Sequence, residues 1–238
     1  EGKNNLEEED IKSFYSFEQK ESSFNNDISI KTPKKSVFPR TEKQKNYVNY
    51  LNQNNIVFSL GPAGTGKTYL SVAVAVSKLI NGETKKIILS RPAVEAGENL
   101  GFLPGDLKEK IDPYLIPLYD SLCELIGFEK MRKKIDDGSI EIAPLAFMRG
   151  RTLKDSFVIL DEAQNATETQ LKMFLTRLGK NTTMVVNGDP SQVDLPLSKS
   201  SGLIKSVNIL DDIKDIKIIR FESTDVQRHP LVTKIINA

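Results

Sequence analysis

The stretch Ile56-Val57-Phe58-Ser59-Leu60-Gly61-Pro62-Ala63-Gly64-Thr65-Gly66-Lys67-Thr68 sets the fold of this chain. An apolar run suited to a buried strand passes directly into G-x-x-x-x-G-K-T, and an apolar pattern of helical period follows from Thr68 to Ile80. Glycines let successive backbone N–H groups turn inward around phosphate oxygens, and the helix behind them adds its positive N-terminus. Lys67 supplies a point charge for phosphate, and the Thr68 hydroxyl is a ligand for Mg²⁺. The nucleotide-binding set is therefore Gly61, Pro62, Ala63, Gly64, Thr65, Gly66, Lys67 and Thr68, with the adjoining Tyr69.

A phosphate cradle of this kind needs a carboxylate for the metal and, for hydrolysis, a base for water. Phe157-Val158-Ile159-Leu160-Asp161-Glu162 ends a buried-strand pattern with two acids, the form of a Walker B segment. Asp161 is expected to hold Mg²⁺, directly or through water, and Glu162 to orient and deprotonate the attacking water. Met184 to Asn187 reads as the next strand and ends in Gly188-Asp189-Pro190-Ser191-Gln192, which makes Gln192 the candidate sensor of the γ-phosphate. Arg228, in Asp225-Val226-Gln227-Arg228-His229-Pro230, has two readings, an arginine finger acting in its own or a neighbouring subunit, or a solvated side chain. His229 reads as a packing or capping residue.

Further out, short apolar runs alternate with helical patterns. Strands are expected at 56–60, 86–90, 157–160, 184–187 and 216–221, and helices at 68–80, 112–126, 167–178 and 202–210. Thr41 followed by Gln44 reads as a capping box opening another helix through Tyr47, Val48 and Leu51. Alternation on this scale predicts an α/β fold, a mostly parallel sheet with helices on both faces, in one domain spanning 40–238. Residues 1–39, rich in Glu, Lys, Ser and Asn with scattered aromatics and no sustained period, read as a flexible polar arm, the alternative being a short ordered extension that packs those aromatics on the body.

Composition narrows the classes. The 238 residues carry 33 Lys+Arg against 32 Asp+Glu, a formal net charge of +1, so any nucleic-acid surface must be local. A single cysteine, Cys123, excludes an intramolecular disulfide framework, and with the single histidine it cannot form a Cys/His structural zinc site. No apolar run approaches the roughly 18 residues needed to cross a bilayer, and the acidic start lacks the form of a signal peptide. A cytoplasmic protein that makes no use of a membrane is the expectation.

The ordered blocks of this sequence resemble those of the PhoH family, phosphate-starvation-inducible P-loop ATPases. The resemblance runs from Arg40-Thr41-Glu42-Lys43-Gln44 through Gly61 to Thr68, Arg91-Pro92-Ala93-Val94-Glu95-Ala96-Gly97-Glu98, Leu100 to Asp106, Phe147 to Leu153 and Asp161-Glu162-Ala163-Gln164-Asn165, and on to Arg228-His229-Pro230. It implies a RecA-like core, ATP with Mg²⁺, and a phosphohydrolase related to superfamily 1 helicases. It also implies that Gln44 is the glutamine that reads adenine, that Arg91 lies near nucleic acid or the nucleotide, and that Arg149 and Arg151 are arginines able to reach a neighbour's site. The chain departs from the family with Ala163 where Ser is frequent and with Asp189-Pro190-Ser191 in place of Asp-Val-Thr.

One P-loop in about 200 residues makes one lobe, whereas a superfamily 1 motor closes two lobes around one ATP. A lone lobe completes its site by borrowing an arginine from another copy, and a head-to-tail interface that closes makes a ring. The resemblance implies a hexameric homo-oligomer, and the enzyme reading gives this helicase-related ATPase single-stranded RNA as its substrate. The alternative is a slow ATP-dependent switch or scaffold that presents a partner, for which the resemblance implies a YbeY-type endoribonuclease of ribosomal RNA maturation.

Overall fold

Continuous apolar runs, buried on both faces in the central strands, build a six-stranded sheet with a core on either side. The computed structural model describes residues 28–92, 107–196 and 200–227. The large sheet comprises β3 (Ile56–Leu60), β4 (Lys86–Arg91), β5 (Ile140–Pro144), β6 (Ser156–Leu160), β7 (Thr183–Gly188) and β8 (Ile216–Arg220), in the order β5-β4-β6-β7-β3-β8. Every pairing in it is parallel. The predicted parallel α/β sheet with helices on both faces is the observed one.

Residues at odd positions, Val57, Ile87, Leu89, Phe157, Ile159 and Val185, face one core. There they pack on α1 (Glu42–Gln53), α2 (Lys67–Ile80), α3 (Leu107–Ile126) and α4 (Phe128–Asp136). Their even-numbered neighbours, Phe58, Ile88, Val158, Leu160, Met184 and Val186, meet Leu171 and Phe174 of α5 (Glu168–Leu175) and Leu203 and Val207 of α6 (Leu203–Leu210) on the other face. Strands buried on both faces carry continuous apolar runs, which is why they were legible.

The Thr41 cap forms as expected, with Thr41 Oγ1 accepting from the Gln44 N–H at 3.1 Å. The return arm differs, because Gln44 Oε1 accepts from the Arg40 N–H at 2.6 Å, one residue upstream of the cap. A complete capping box occurs at α5, between Thr167 and Gln170.

Three differences from the sequence reading concern elements with little apolar area. Within the stretch read as a polar arm, β1 (Ile30–Lys31) and β2 (Ser36–Val37) pair antiparallel, and Ile30 and Val37 are buried in the α1–α4 core. Order in the described chain thus begins well before Thr41. Helix α4 and edge strand β5 were also unread. Strand β5 is half-shielded, with Glu141 turned to a pair of cations, so its run is short and interrupted.

Arg151 Nη1 and Nη2 donate to the two Glu141 oxygens at 2.6 and 2.9 Å, and Lys86 Nζ lies 2.7 Å from Glu141 Oε2. The Arg151 fork, then Lys86, holds the Glu141 carboxyl down to about 2, against an ordinary value of 4.5. A depressed carboxylate stabilises the fold above its unfolded value and loses that contribution as pH falls toward the folded one. Glu141→Gln is therefore expected to cost about 1–2 kcal/mol at pH 7, after allowance for partial exposure, and nearly nothing at about pH 2. Urea midpoints across that window read the difference; a pH-independent gap would assign the cost to packing instead.

Beneath the Gly61–Thr68 loop lies a buried polar knot. Tyr47 Oη and Ser59 Oγ donate to Asn187 Oδ1 at 2.8 and 2.6 Å, Asn187 Nδ2 donates to Ser71 Oγ at 3.1 Å, and Ser71 Oγ donates to Thr68 O at 2.9 Å. Tyr47 is wholly buried, and burial pushes its phenol well above the ordinary value of 10. The knot ties α1, β3, α2 and β7 together directly under the loop. Asn187→Leu keeps the volume but removes the acceptor of two buried hydroxyls, an expected loss of about 2–4 kcal/mol. The check is the urea midpoint at unchanged slope.

Candidate functional site

Parallel strands deliver their C-terminal ends to one edge, and at the centre of this sheet those ends carry the residues singled out from the sequence. A cleft of about 280 Å³ opens there, lined by Ala63, Gly64, Gly66, Lys67, Thr68 and Tyr69 from the loop and α2, by Arg91, Asp161 and Glu162 past β4 and β6, and by Gly188, Asp189 and Gln192 past β7. Pro117 and Ser121 of α3 close one side.

The loop between β3 and α2 keeps Gly61, Gly64 and Gly66 at positive φ. At Gly61 the requirement is also steric, since a Cβ would stand 2.5 Å from Phe221 O. Lys67 Nζ donates to the Gly61 and Pro62 carbonyls at 2.6 and 2.8 Å, so its charge sits at the mouth of the loop. Gly61, Pro62 and Thr65 form the frame of the loop rather than the cleft wall, with Thr65 Oγ1 donating to Pro62 O. Gln44 belongs to the frame too. It is 4% exposed, and its Nε2 donates to Thr65 O at 3.0 Å, so its amide braces the loop from behind. The adenine role expected for it from the family would use its remaining N–H and lone pair.

Both acids line the cleft. Asp161 Oδ1 accepts from the Thr68 hydroxyl at 2.6 Å, joining the hydroxyl and the carboxylate expected to serve one cation. Glu162 follows in the left-handed region, at φ 54°, which turns its carboxylate into the cleft. Arg91 reaches both: Nε and Nη2 donate to Asp161 Oδ2 at 3.0 and 2.7 Å, and Nη2 lies 3.3 Å from Glu162 Oε1. Arg91 therefore lines the same cleft as the Gly61–Thr68 loop.

Two residues had been given no role. Gln164 Nε2 donates to Glu162 Oε2 at 2.5 Å while its Oε1 accepts from the Asp189 N–H at 3.0 Å, so one side chain locks the general-base candidate to the end of β7. Asp189 Oδ2 accepts from the Ala63 N–H at 3.2 Å and from Gln192 Nε2 at 2.8 Å, and its Oδ1 accepts from the Ser191 N–H and hydroxyl. Gln192 thus lines the cleft on a tether shared with the phosphate loop. The signal for Asp189 was in the sequence, an acid directly after a buried strand, the same signal that marked Asp161.

Arg149 and Arg151 lie apart from the cleft wall. Arg151 is held by Glu141. Arg149 is exposed, just past the turn that follows β5 at the free edge of the sheet. Arg228 lies outside the described residues; Gln227 before it donates its N–H to Gly64 O at 2.9 Å. Tyr69 Oη donates to Glu124 at 3.2 Å, and Lys35, from the turn between β1 and β2, sits 5.3 Å from the centre of the Tyr69 ring.

The donor set suits Mg²⁺ brought by a nucleotide. Among the described residues no group of three His, Cys, Asp or Glu side chains could cage a metal, whereas Mg²⁺ needs only one or two protein oxygens when phosphates and waters complete its shell. Among the described residues no helix is long and apolar enough to cross a membrane.

A family model described as PhoH-like protein matches residues 36–238. Relatives include a PhoH-like protein of Bacillus subtilis, 56% identical over 92% of this chain and 68% of its own length, and one of Mycobacterium tuberculosis, 57% identical over 86% and 58%. Protein PhoH of Escherichia coli is 43% identical over 85% of this chain and 58% of its own length. The chain thus spans between 58 and 68% of these relatives. Among solved structures, the Sulfolobus solfataricus SWI2/SNF2 ATPase core in complex with dsDNA superposes with a TM-score of 0.49 at 17% identity, over 84% of this chain and 48% of that one, too loose a likeness to bear on function. With a family match over most of its length and a P-loop at the edge of a parallel sheet, this P-loop NTPase domain belongs to the PhoH-like protein family.

Proposed function

We propose that the chain is a Mg²⁺-dependent ATPase acting in RNA metabolism as a helicase-related oligomer, in keeping with the family it belongs to. The observation that carries the hydrolytic part is the convergence of Lys67, Thr68, Asp161 and Glu162 on one cleft, with Glu162 clamped by Gln164. Lys67 and the loop N–H groups bind the phosphates. Thr68 and Asp161 would hold Mg²⁺, which would supply charge neutralisation for the phosphates. Glu162 takes the proton of the attacking water, and Gln164 fixes the direction of that carboxylate. Gln192, tethered through Asp189 to the loop, stands ready to register the γ-phosphate.

Completion of the site from a neighbouring copy in a ring is part of the same reading. The parallel sheet places the turn beyond β5, with exposed Arg149, at the same end as the cleft and at the sheet's free edge, a position suited to serving a neighbour. Arg151, spent on Glu141, is a poorer choice.

Steady-state ATP hydrolysis with Mg²⁺, with and without single-stranded RNA and at several protein concentrations, tests the proposal. Turnover per chain should rise with assembly and with RNA. Monomers whose turnover per chain is independent of concentration would refute the shared site, and slow RNA-indifferent hydrolysis would favour a switch presenting an endoribonuclease of the YbeY type.

A further inference from the structure

A buried carboxylate needs a compensating charge, and the structure shows which one Asp161 uses. Asp161 is 2% exposed. Its Oδ1 accepts from the Thr68 hydroxyl, while Oδ2 accepts two N–H donors of one guanidinium, Arg91 Nε at 3.0 Å and Nη2 at 2.7 Å. The same Nη2 lies 3.3 Å from Glu162 Oε1, so one cation spans both acids. The arrangement is held by backbone as well: Arg91 ends β4, next to β6 in the sheet, and the Asp161 N–H donates to Ser90 O at 2.8 Å.

We infer that Arg91 is the resident counter-ion of the Asp161–Glu162 pair and competes with the divalent cation for it. The inference rests on the nucleotide–Mg²⁺ reading of this cleft. Two cations served by one carboxylate repel each other, and inside a cleft the repulsion is screened less than in water. Metal loading therefore has to loosen the guanidinium from Asp161, which makes free-metal affinity weak and ties tight loading to the phosphates, whose negative charge offsets both cations. Arg91 acts on the metal through Asp161, as a positioning residue. The arrangement would keep the acids neutralised between nucleotides and suppress capture of a free cation.

The contrary reading, Arg91 as a direct phosphate ligand, predicts the opposite behaviour towards metal alone, and Mn²⁺ separates the two. Mn²⁺ binding, followed by its electron paramagnetic resonance signal, is measured on the nucleotide-free protein and its Arg91→Gln, Arg91→Lys and Asp161→Asn variants, with Mn²⁺·ATP on the unsubstituted protein as control. Arg91→Gln is expected to bind free Mn²⁺ at least tenfold more tightly, and Asp161→Asn to lose that binding. In EDTA, Arg91→Gln should melt at a lower temperature than the unsubstituted protein, and Mn²⁺ should recover the loss. Unchanged or weaker Mn²⁺ affinity in folded Arg91→Gln, with Mn²⁺·ATP bound normally by the unsubstituted protein, overturns the counter-ion role alone. Failure of the unsubstituted protein to bind Mn²⁺·ATP overturns the nucleotide reading, and the inference with it. Should Arg91→Gln not fold, Arg91→Lys decides, because an ammonium cannot reproduce the planar two-donor contact: at least threefold tighter Mn²⁺ binding supports the role and an unchanged value refutes it.

Discussion

Glu162→Gln is expected to lower ATP turnover by roughly 10²–10⁴-fold while leaving ATP affinity within about threefold of its original value. Glutamine keeps the length and planarity of the side chain, can still accept the hydrogen bond that Gln164 Nε2 gives to Glu162 Oε2, and cannot take a proton from water. The phosphate loop, Thr68 and Asp161 are untouched, so binding survives where chemistry fails. Single-turnover hydrolysis beside equilibrium binding of a fluorescent ATP analogue reads the two halves separately. Parallel loss of both would make Glu162 a structural residue whose left-handed backbone and clamp serve the loop rather than the water.

Lys67→Ala is expected to fail in the other half. A charge-assisted contact to phosphate at a desolvated site is worth roughly 2–5 kcal/mol when one partner is truncated, roughly 30- to 4,000-fold in affinity. The variant also loses the hydrogen bonds that Lys67 Nζ gives to the Gly61 and Pro62 carbonyls, while the turns at Gly61, Gly64 and Gly66 at positive φ and the brace from Gln44 Nε2 to Thr65 O remain to hold the loop. Equilibrium binding of the same analogue gives the affinity, and an unchanged melting temperature without nucleotide shows that the fold is intact. Undiminished affinity in Lys67→Ala would remove the phosphate-cradle assignment.

The two substitutions concern residues that were legible before any coordinates, since each belongs to a contiguous motif between a strand and a helix. The same holds for the framework: the apolar runs at 56–60 and 157–160 read as strands, and the strands observed there are buried on both faces. The Thr41–Gln44 signal located α1, although the glutamine's carbonyl went to the Arg40 N–H. Illegible elements had small or one-sided apolar faces. Strand β5 presents Glu141 to Arg151 and Lys86, and the β1–β2 hairpin buries only Ile30 and Val37 within a polar stretch.

By itself the sequence determined what local chemistry can determine: a glycine-rich turn between a strand and a helix, a strand that ends in two acids, and strands and helices whose periods demand a parallel sheet covered on both sides. Only the tertiary structure decided which of these residues meet. Arg91 and Asp161 lie 70 residues apart in the chain, yet they are bonded because β4 neighbours β6. Gln164 and Asp189 are bonded because β6 neighbours β7, and Asp189 reaches Ala63 because β7 neighbours β3. Strand order is a property of how the two cores pack, not of any one stretch of sequence. Motifs therefore named the candidate groups in advance, while the arginine, glutamine and aspartate bonded to them became visible only once the sheet had set its order.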